Sequence, residues 1–367
     1  MSSASGFDVA AFDVAVVGGG PAGAVAAYVL ARAGRRVVLI DAPAVASRKI
    51  GESLPAIAGH LLRKIGLAEL LEGHRASFGN VSAWGGEELV STDFIQDPHG
   101  LGLHLDRARF DRELREAAAD AGAEVLAARM RTAERGASGW EVRIEEPVQR
   151  IAMTLRAACV IDATGRRGII AKRAGAKRIR DDALMALFFW ATREGTGEAA
   201  PLDERTLVES RPEGWWYTAP LPNDARVLAF HTDADVARAV RRENGIARAI
   251  AATSHVRPLV DGLRVDARFR IAEAGGARLD AFVGRGWVAV GDAALAFDPI
   301  AAQGIFNALY TGMKAGEAVD AALRGDPSGL AEYSRRLEEI RAAYVERRTN
   351  VYELEGRWPD APFWKRR

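Results

Sequence analysis

The alternation of apolar and polar positions sets out most of the chain's elements before any chemistry is considered. Residues 14–17 form a short apolar, β-branched run, and 22–33 continue at helical spacing. Gly34 can end that helix, and 37–40 make a second apolar strand. Residues 47–55, SRKIGESLP, are polar with two breakers and read as a loop, followed by a helix over 56–65. Strands are expected over 81–84 and 88–95, joined at Gly85–Gly86, and then a helix from 104 to about 120, stopped by Gly122. Alternation predicts further strands over 124–130, 140–145 and 155–161. Between 176 and 271 the texture changes to short β-like runs (185–192, 206–210, 215–220, 227–231) separated by Gly, Pro and Asn, with a helical pattern over 233–252. A strand over 283–290 and two long helices, 301–323 and 328–348, complete the pattern.

This order predicts an α/β protein. A Rossmann-like nucleotide-binding domain would be assembled from 10–80, 101–175 and 272–350, with an antiparallel-sheet substrate domain (81–100 and 176–271) inserted into it. The remainder, 351–367, ends in RWPDAPFWKRR, which carries two tryptophans and a phenylalanine. Such density predicts a tail packed on the body, and a partner-binding tail is the alternative.

The first strand–helix–strand carries chemistry. Gly18, Gly20 and Gly23 satisfy G-x-G-x-x-G, with Pro21 and Ala22 inside it. The glycines provide a tight turn, room for a pyrophosphate against the backbone, and close helix–sheet packing; the helix N-terminus offers free N–H groups to phosphate. Asp41, eighteen residues after Gly23, is placed to take an adenosine ribose. An adenine dinucleotide is therefore expected, and this unit alone leaves FAD and NAD both open.

Composition narrows the class. With 50 Lys and Arg against 49 Asp and Glu, the net charge of +1 gives no basic field for nucleic acid. Cys159 is the only cysteine, which excludes an internal disulfide and a cysteine-based metal site, and it lies in an apolar strand where packing is its expected role. None of the six histidines has metal-ligand spacing to another, so no metal is expected. The first eleven residues lack a leader pattern and no apolar run is long enough to span a bilayer, so a cytoplasmic protein without a membrane partner is expected.

Three later segments sharpen the site. Asp162–Gly165 closes a strand with small residues, Gly291–Asp292 ends another, and AFDPIAAQG (296–304) runs into a helix. The N-terminus of that helix, at Pro299, Gly304 and Ile305, would favour negative charge on the pyrimidine edge of a reduced isoalloxazine. The set GGGPAG (18–23), DATG (162–165) and GDAALAFDPIAAQGI (291–305) resembles the FAD-dependent monooxygenases of the para-hydroxybenzoate hydroxylase fold, over essentially the whole chain. The resemblance implies FAD contacts from Gly18, Gly20, Gly23, Asp41, Arg107, Asp162, Gly165, Gly291, Asp292 and Gly304. KIGES (49–53) is similar to the branch containing flavin-dependent halogenases and geranylgeranyl reductases, and Lys49, Glu52 and Ser53 join the candidate cofactor residues.

GWWYTAP (214–220) half matches the W-x-W-x-I-P of halogenases, but no lysine lies between Lys64 and Lys172, where those enzymes carry the amine that receives hypohalous acid. SAWGGEEL, DFIQDPHGLGLHLDRARFD and RWPDAPFW resemble the flavoproteins that mature tryptophylquinone cofactors by oxygenating a tryptophan of a partner protein. The resemblance implies a monooxygenase that forms a flavin C4a-(hydro)peroxide from O₂ and oxygenates an aromatic small molecule or a tryptophan-containing partner protein. Reducing equivalents would come from NAD(P)H or a separate flavin reductase. A dry pocket is needed; Trp84, Phe188 and Trp190 are the candidate lining, with Trp215 and Tyr217 beside them and His231 as candidate base. His104 is a second candidate base. The alternatives are a halogenase-like or geranylgeranyl reductase-like oxidoreductase, or a non-catalytic FAD-binding partner protein.

Overall fold

In the computed structural model, residues 10–42, 49–148, 150–193, 205–222, 224–240, 242, 245–266 and 269–367 are described. The β-branched run at the start becomes Ala11–Val17, the centre of the first sheet. Parallel neighbours are Val37–Asp41 and then Glu124–Ala127 on one side, and Ala152–Asp162 and then Trp287–Ala289 on the other. Strands buried on both faces need continuous apolar sequence, and VAVV (14–17) and VVLI (37–40) supply it. The antiparallel hairpin Arg129–Gly136/Gly139–Glu145 pairs with the first half of Ala152–Asp162, leaving the second half for Trp287–Ala289. The strand expected over 283–290 is instead a tight hairpin, Val283–Gly284 against Trp287–Ala289, because Gly286 takes a left-handed φ of 72° and turns the chain back.

The helix Pro21–Arg32 lies against the long helix Gly304–Leu323. Gly312 permits this: a Cβ there would collide with the carbonyl of Ala22. The last long helix, Ser328–Glu353, runs further than the pattern predicts and is pinned by Tyr333, whose hydroxyl donates to the Ala289 carbonyl at 2.7 Å.

The second large sheet is built from the β-like runs of the middle region. Its order is Leu263–Val265, Leu184–Arg193, Ala225–Asp233, Gly214–Pro220, Thr206–Arg211, Gly79–Ala83 and Val90–Asp93, with Arg270–Glu273 also on Leu184–Arg193. All pairs are antiparallel except Thr206–Arg211 with Gly79–Ala83, which is parallel because these strands come from segments more than a hundred residues apart rather than from a hairpin. In Leu184–Arg193 the two-residue period sends Ala186, Phe188 and Trp190 to one face and Leu187, Phe189 and Ala191 to the other. The second face is covered by Ala234–Val240 and Gly245–Ala251. The helix expected over 233–252 starts one residue later, because Asp233 still belongs to a strand; residues 241, 243 and 244 of that span lie outside the described residues. Among the described residues no helix is long and apolar enough to cross a membrane.

The tail packs. Phe363 and Trp364, in the turn Pro362–Lys365, are buried with Tyr352 and Trp215 on the first face of the second sheet. The Trp364 indole donates to the Arg211 carbonyl at 2.9 Å, and Arg366 and Arg367 both pair with Asp233.

Candidate active site

A cleft of about 360 Å³ opens between the two large sheets. On one side lie Gly20–Gly23 at the start of the first helix; on another, Pro299 and Ala302–Ile305 at the start of the long helix. Ile50–Ser53, Arg107, Gly165 and Asp292 close the ends, and Ala186, Tyr217, His231 and Ala272–Ala274, with Glu273 among them, form the sheet wall. Two helix N-termini thus point at one space, each with backbone N–H groups free of intrahelical partners.

The glycines behave as their spacing predicts. Gly18 has φ 111° and abuts the backbone of Ala163, and Gly23 abuts the carbonyl of Gly18, so neither tolerates a side chain. Gly20 and Gly304 differ: a Cβ at either would meet nothing within 4 Å, leaving bare backbone facing the cleft. Asp41 ends its strand with Oδ1 accepting the Gly19 N–H at 2.9 Å, which ties the carboxylate to the glycine loop. These features, an open glycine cradle, two helix N-termini and a carboxylate at the strand end, fit a dinucleotide with a second charged ring system.

Other charges are arranged around this cradle. Arg166, which the sequence reading left out, donates to the carbonyls of Gly275, Ala274 and Phe297 and stands 3.5 Å from Asp292. Arg107 donates to the carbonyls of Ile50 and Gly51 and pairs with buried Asp111, which also takes Lys49 Nζ at 2.7 Å. Lys49 therefore holds the KIGES loop to the helix Arg107–Asp120 and does not line the main cleft. Asp298, also missed, is fully buried at the cleft floor; burial raises its carboxyl to about 6. Only the Asp-Pro pair before a helix hinted at it.

Several expected site residues stand elsewhere. Asp162 is buried and turned into its own loop, accepting from Thr164 N and Oγ1 and from Ala171 N, so its side chain holds the turn and not the cofactor. The Gly291 N–H is taken by Thr311 Oγ1 at 2.8 Å, and Gly291 does not line the cleft. Trp215 lies behind the wall, stacked on His231 at 3.7 Å between ring centroids, with its indole donating to Tyr352. Trp84 packs edge-on against Trp215, Tyr352 and Trp364 and donates to the Val351 carbonyl, so it belongs to the tail cluster and not to the pocket. Phe188 and Trp190 meet edge-to-face, and Trp190 lines only a small side pocket beyond Glu52. Large aromatics on a sheet bury most area against one another, and the small side chains Ala186, Ala272 and Ala274 are what leave room for a ligand.

Three groups do face the cleft chemically. Tyr217 lies with its hydroxyl 2.9 Å from Ser53 Oγ, and burial pushes its pKa up, so it stays a neutral donor. His231 is buried, and desolvation lowers it to about 3, which makes it a neutral ring and a poor base near neutral pH. The second candidate base, His104, is fully buried with Nε2 3.1 Å from Thr206 Oγ1 and lines no cleft. Glu52 is raised to about 7, by burial first, against the opposing pull of Arg107. Cys159 is buried, and its thiol is pushed up to about 12, consistent with packing.

Comparison with known proteins agrees with this geometry. Residues 11–348 match the FAD-binding domain family. LodB of Marinomonas mediterranea, which carries the name of an FAD-dependent oxidoreductase, is 27% identical over 364 residues, covering 97% of this chain and 96% of its own. A tryptophan 2-halogenase of Chondromyces crocatus is 24% identical over 391 residues, covering 96% of this chain and 69% of the halogenase. Among solved structures, the myxobacterial chondrochloren halogenase superposes with a TM-score of 0.88 at 23% identity, covering 97% of this chain and 86% of the halogenase, a likeness of fold. The peptidyl tryptophan dihydroxylase QhpG, essential for tryptophylquinone cofactor biogenesis, superposes with a TM-score of 0.77 at 25% identity, covering 97% of this chain and 78% of its own. The cradle, the cleft and the match over nearly the whole chain lead to one conclusion: the protein is an FAD-dependent oxidoreductase and belongs to the FAD-binding domain family.

Proposed function

We propose that this flavoenzyme is a monooxygenase acting on an aromatic substrate, and that the indole of a tryptophan, free or within a partner polypeptide, is the class it takes. The observation that carries this reading is the composition of the cleft. Its sheet side carries the small apolar side chains Ala186, Ala272 and Ala274 with Tyr217, His231 and Glu273, its other charged lining (Glu52, Arg107, Arg166, Asp292, Asp298) is carboxylate or guanidinium, and no lysine lines it among the described residues. The halogenase route implied by the family resemblance requires such an amine. The likeness to QhpG supports an indole acceptor.

When bound and reduced, FAD supplies, with O₂, an electrophilic oxygen that needs no protein nucleophile. The residues of the chain do the rest. Gly20–Gly23 and Asp41 would hold the adenine dinucleotide portion, and Gly304–Ile305 at the helix N-terminus would stabilise negative charge on the ring. The small apolar part of the sheet wall, Ala186, Ala272 and Ala274, would limit water beside the reacting ring, where water diverts the reaction to hydrogen peroxide. Tyr217, kept neutral and anchored to Ser53, presents a hydroxyl to the cleft. His231 presents a flat neutral ring backed by Trp215.

The reading is tested by supplying the FAD-loaded protein with a flavin reductase, a tryptophan-containing peptide and excess bromide. A product heavier by oxygen supports it; a brominated product returns the chain to the halogenases. The electron donor, a nicotinamide or a separate reductase, is identified by which of them reduces the bound flavin.

A further inference from the structure

Glu52 separates two spaces. It lines the main cleft beside Ser53 and Tyr217, and it also lines a side pocket of about 70 Å³ formed with Lys49, Asp106, Arg107, Trp190 and Pro222. It is 2% exposed, so neither space reaches it as bulk solvent. Its Oε2 accepts the Gly51 N–H at 2.8 Å and fixes the carboxyl. Its Oε1 makes no hydrogen bond of ordinary geometry among the described residues, although the Trp190 indole lies close enough to favour the charged form slightly. The cations nearby are engaged elsewhere: Arg107 and Lys49 share Asp111. From the sheet side the buried Tyr217 hydroxyl feels the Glu52 charge, and His231 and Glu273 line the same cleft. A buried carboxyl with one anchored oxygen and one without a hydrogen bond of ordinary geometry, set between a cleft and a pocket that half-exposed Lys49 lines, has the placement of a proton carrier.

We propose that Glu52 delivers to the main cleft the proton that oxygen chemistry consumes there, and is recharged from the side pocket. The need follows from the balance of monooxygenation, R–H + O₂ + hydride equivalent + H⁺ → R–OH + H₂O. The hydride equivalent arrives with the reduced cofactor, and the remaining proton must pass from water through the protein. The Glu52 carboxyl gives up its O–H proton to the oxygen that leaves as water, and the carboxylate takes a proton from water entering beside Lys49. Without substrate the demand is the same, hydride equivalent + O₂ + H⁺ → H₂O₂. The raised carboxyl, near 7, keeps both forms populated at neutral pH. The destination of the proton rests on the monooxygenase reading; the carriage itself does not.

Two measurements on wild type, E52Q and E52D test this. Infrared titration of the cofactor-free protein should show a protonated-carboxyl band lost as pH rises through about 7, and absent from E52Q. Reoxidation of the reduced, FAD-loaded protein by O₂ without substrate should slow at least about tenfold in E52Q and lose its pH dependence, with partial rescue in E52D. The proposal is overturned by a band unchanged in E52Q, or by E52Q reoxidising at the wild-type rate with the wild-type pH profile. Weaker FAD binding with a normal rate at saturating FAD also overturns it, and makes Glu52 a positioning residue. A protein that passes both measurements yet inserts no oxygen into any indole keeps the proton carrier and loses the monooxygenase reading.

Discussion

Tyr352 donates its hydroxyl proton to Asp298 Oδ2 at 2.9 Å while accepting the indole N–H of Trp215 at 3.1 Å. One phenol near the end of the last long helix therefore joins the second sheet to the floor of the cleft. Removing it in Y352F leaves a buried carboxylate short of a donor, a loss of about 1–3 kcal/mol. Burial raises Asp298 to about 6, so the charged form, which needs the donor, prevails above that pH. Denaturant unfolding should therefore show a larger loss at pH 8 than at pH 5.

The tail is held as core. Trp364 is buried against Trp84 and Tyr352, and Arg366 and Arg367 both reach Asp233. W364A should cost about 3–5 kcal/mol, the range for emptying a large aromatic site, and deletion of 357–367 should cost more. A deletion that leaves the melting curve unchanged but removes a co-purifying protein would restore the view of the tail as a docking arm.

Much of this was legible in the sequence, and the limits have physical causes. The glycine loop, Asp41 and the helix start at Gly304 are legible because each rests on local backbone demands that particular residues must meet. The pocket lining is not legible because residue type says nothing of facing partners: Trp84 and Trp215 pack on each other behind the cleft, and Phe188 packs edge-to-face on Trp190, which borders only the side pocket. Small residues that create space by absence, such as Ala186 and Ala272, give no signal in a sequence. Arg166 and Asp298 carry no local signal, because their partners lie about 45 to 130 residues away in the chain.

Glu52 has a consequence for stability with a definite sign. Its carboxyl is raised from 4.5 to about 7 in the folded state, so the native protein binds a proton that the unfolded chain releases between those values. Stability contributed by this group is present below 4.5 and is lost as pH rises through about 7. The penalty above that range is about 3 kcal/mol. E52Q, which has no carboxylate to bury, should gain on wild type by roughly that amount between pH 4.5 and pH 8, measured by denaturant titration at both.

His231 should leave no mark on the pH dependence of turnover near the usual histidine range. Desolvation holds it near 3, so it is neutral throughout. H231Q should alter the rate through lost stacking on Trp215 while keeping the shape of the pH profile. A profile whose inflection near pH 6.5 vanishes in H231Q would make the ring a working base instead.

The central claim is that this FAD cradle serves oxygen insertion. The most direct measurement mixes the anaerobically reduced, FAD-loaded protein with isotope-labelled O₂ in the presence of a tryptophan-containing peptide, and reads the mass of the peptide. The account predicts one or more labelled oxygen atoms on the indole, with hydrogen peroxide yield below stoichiometric. An unlabelled peptide, with all the O₂ recovered as hydrogen peroxide across free tryptophan, peptides and simple phenols, would contradict it.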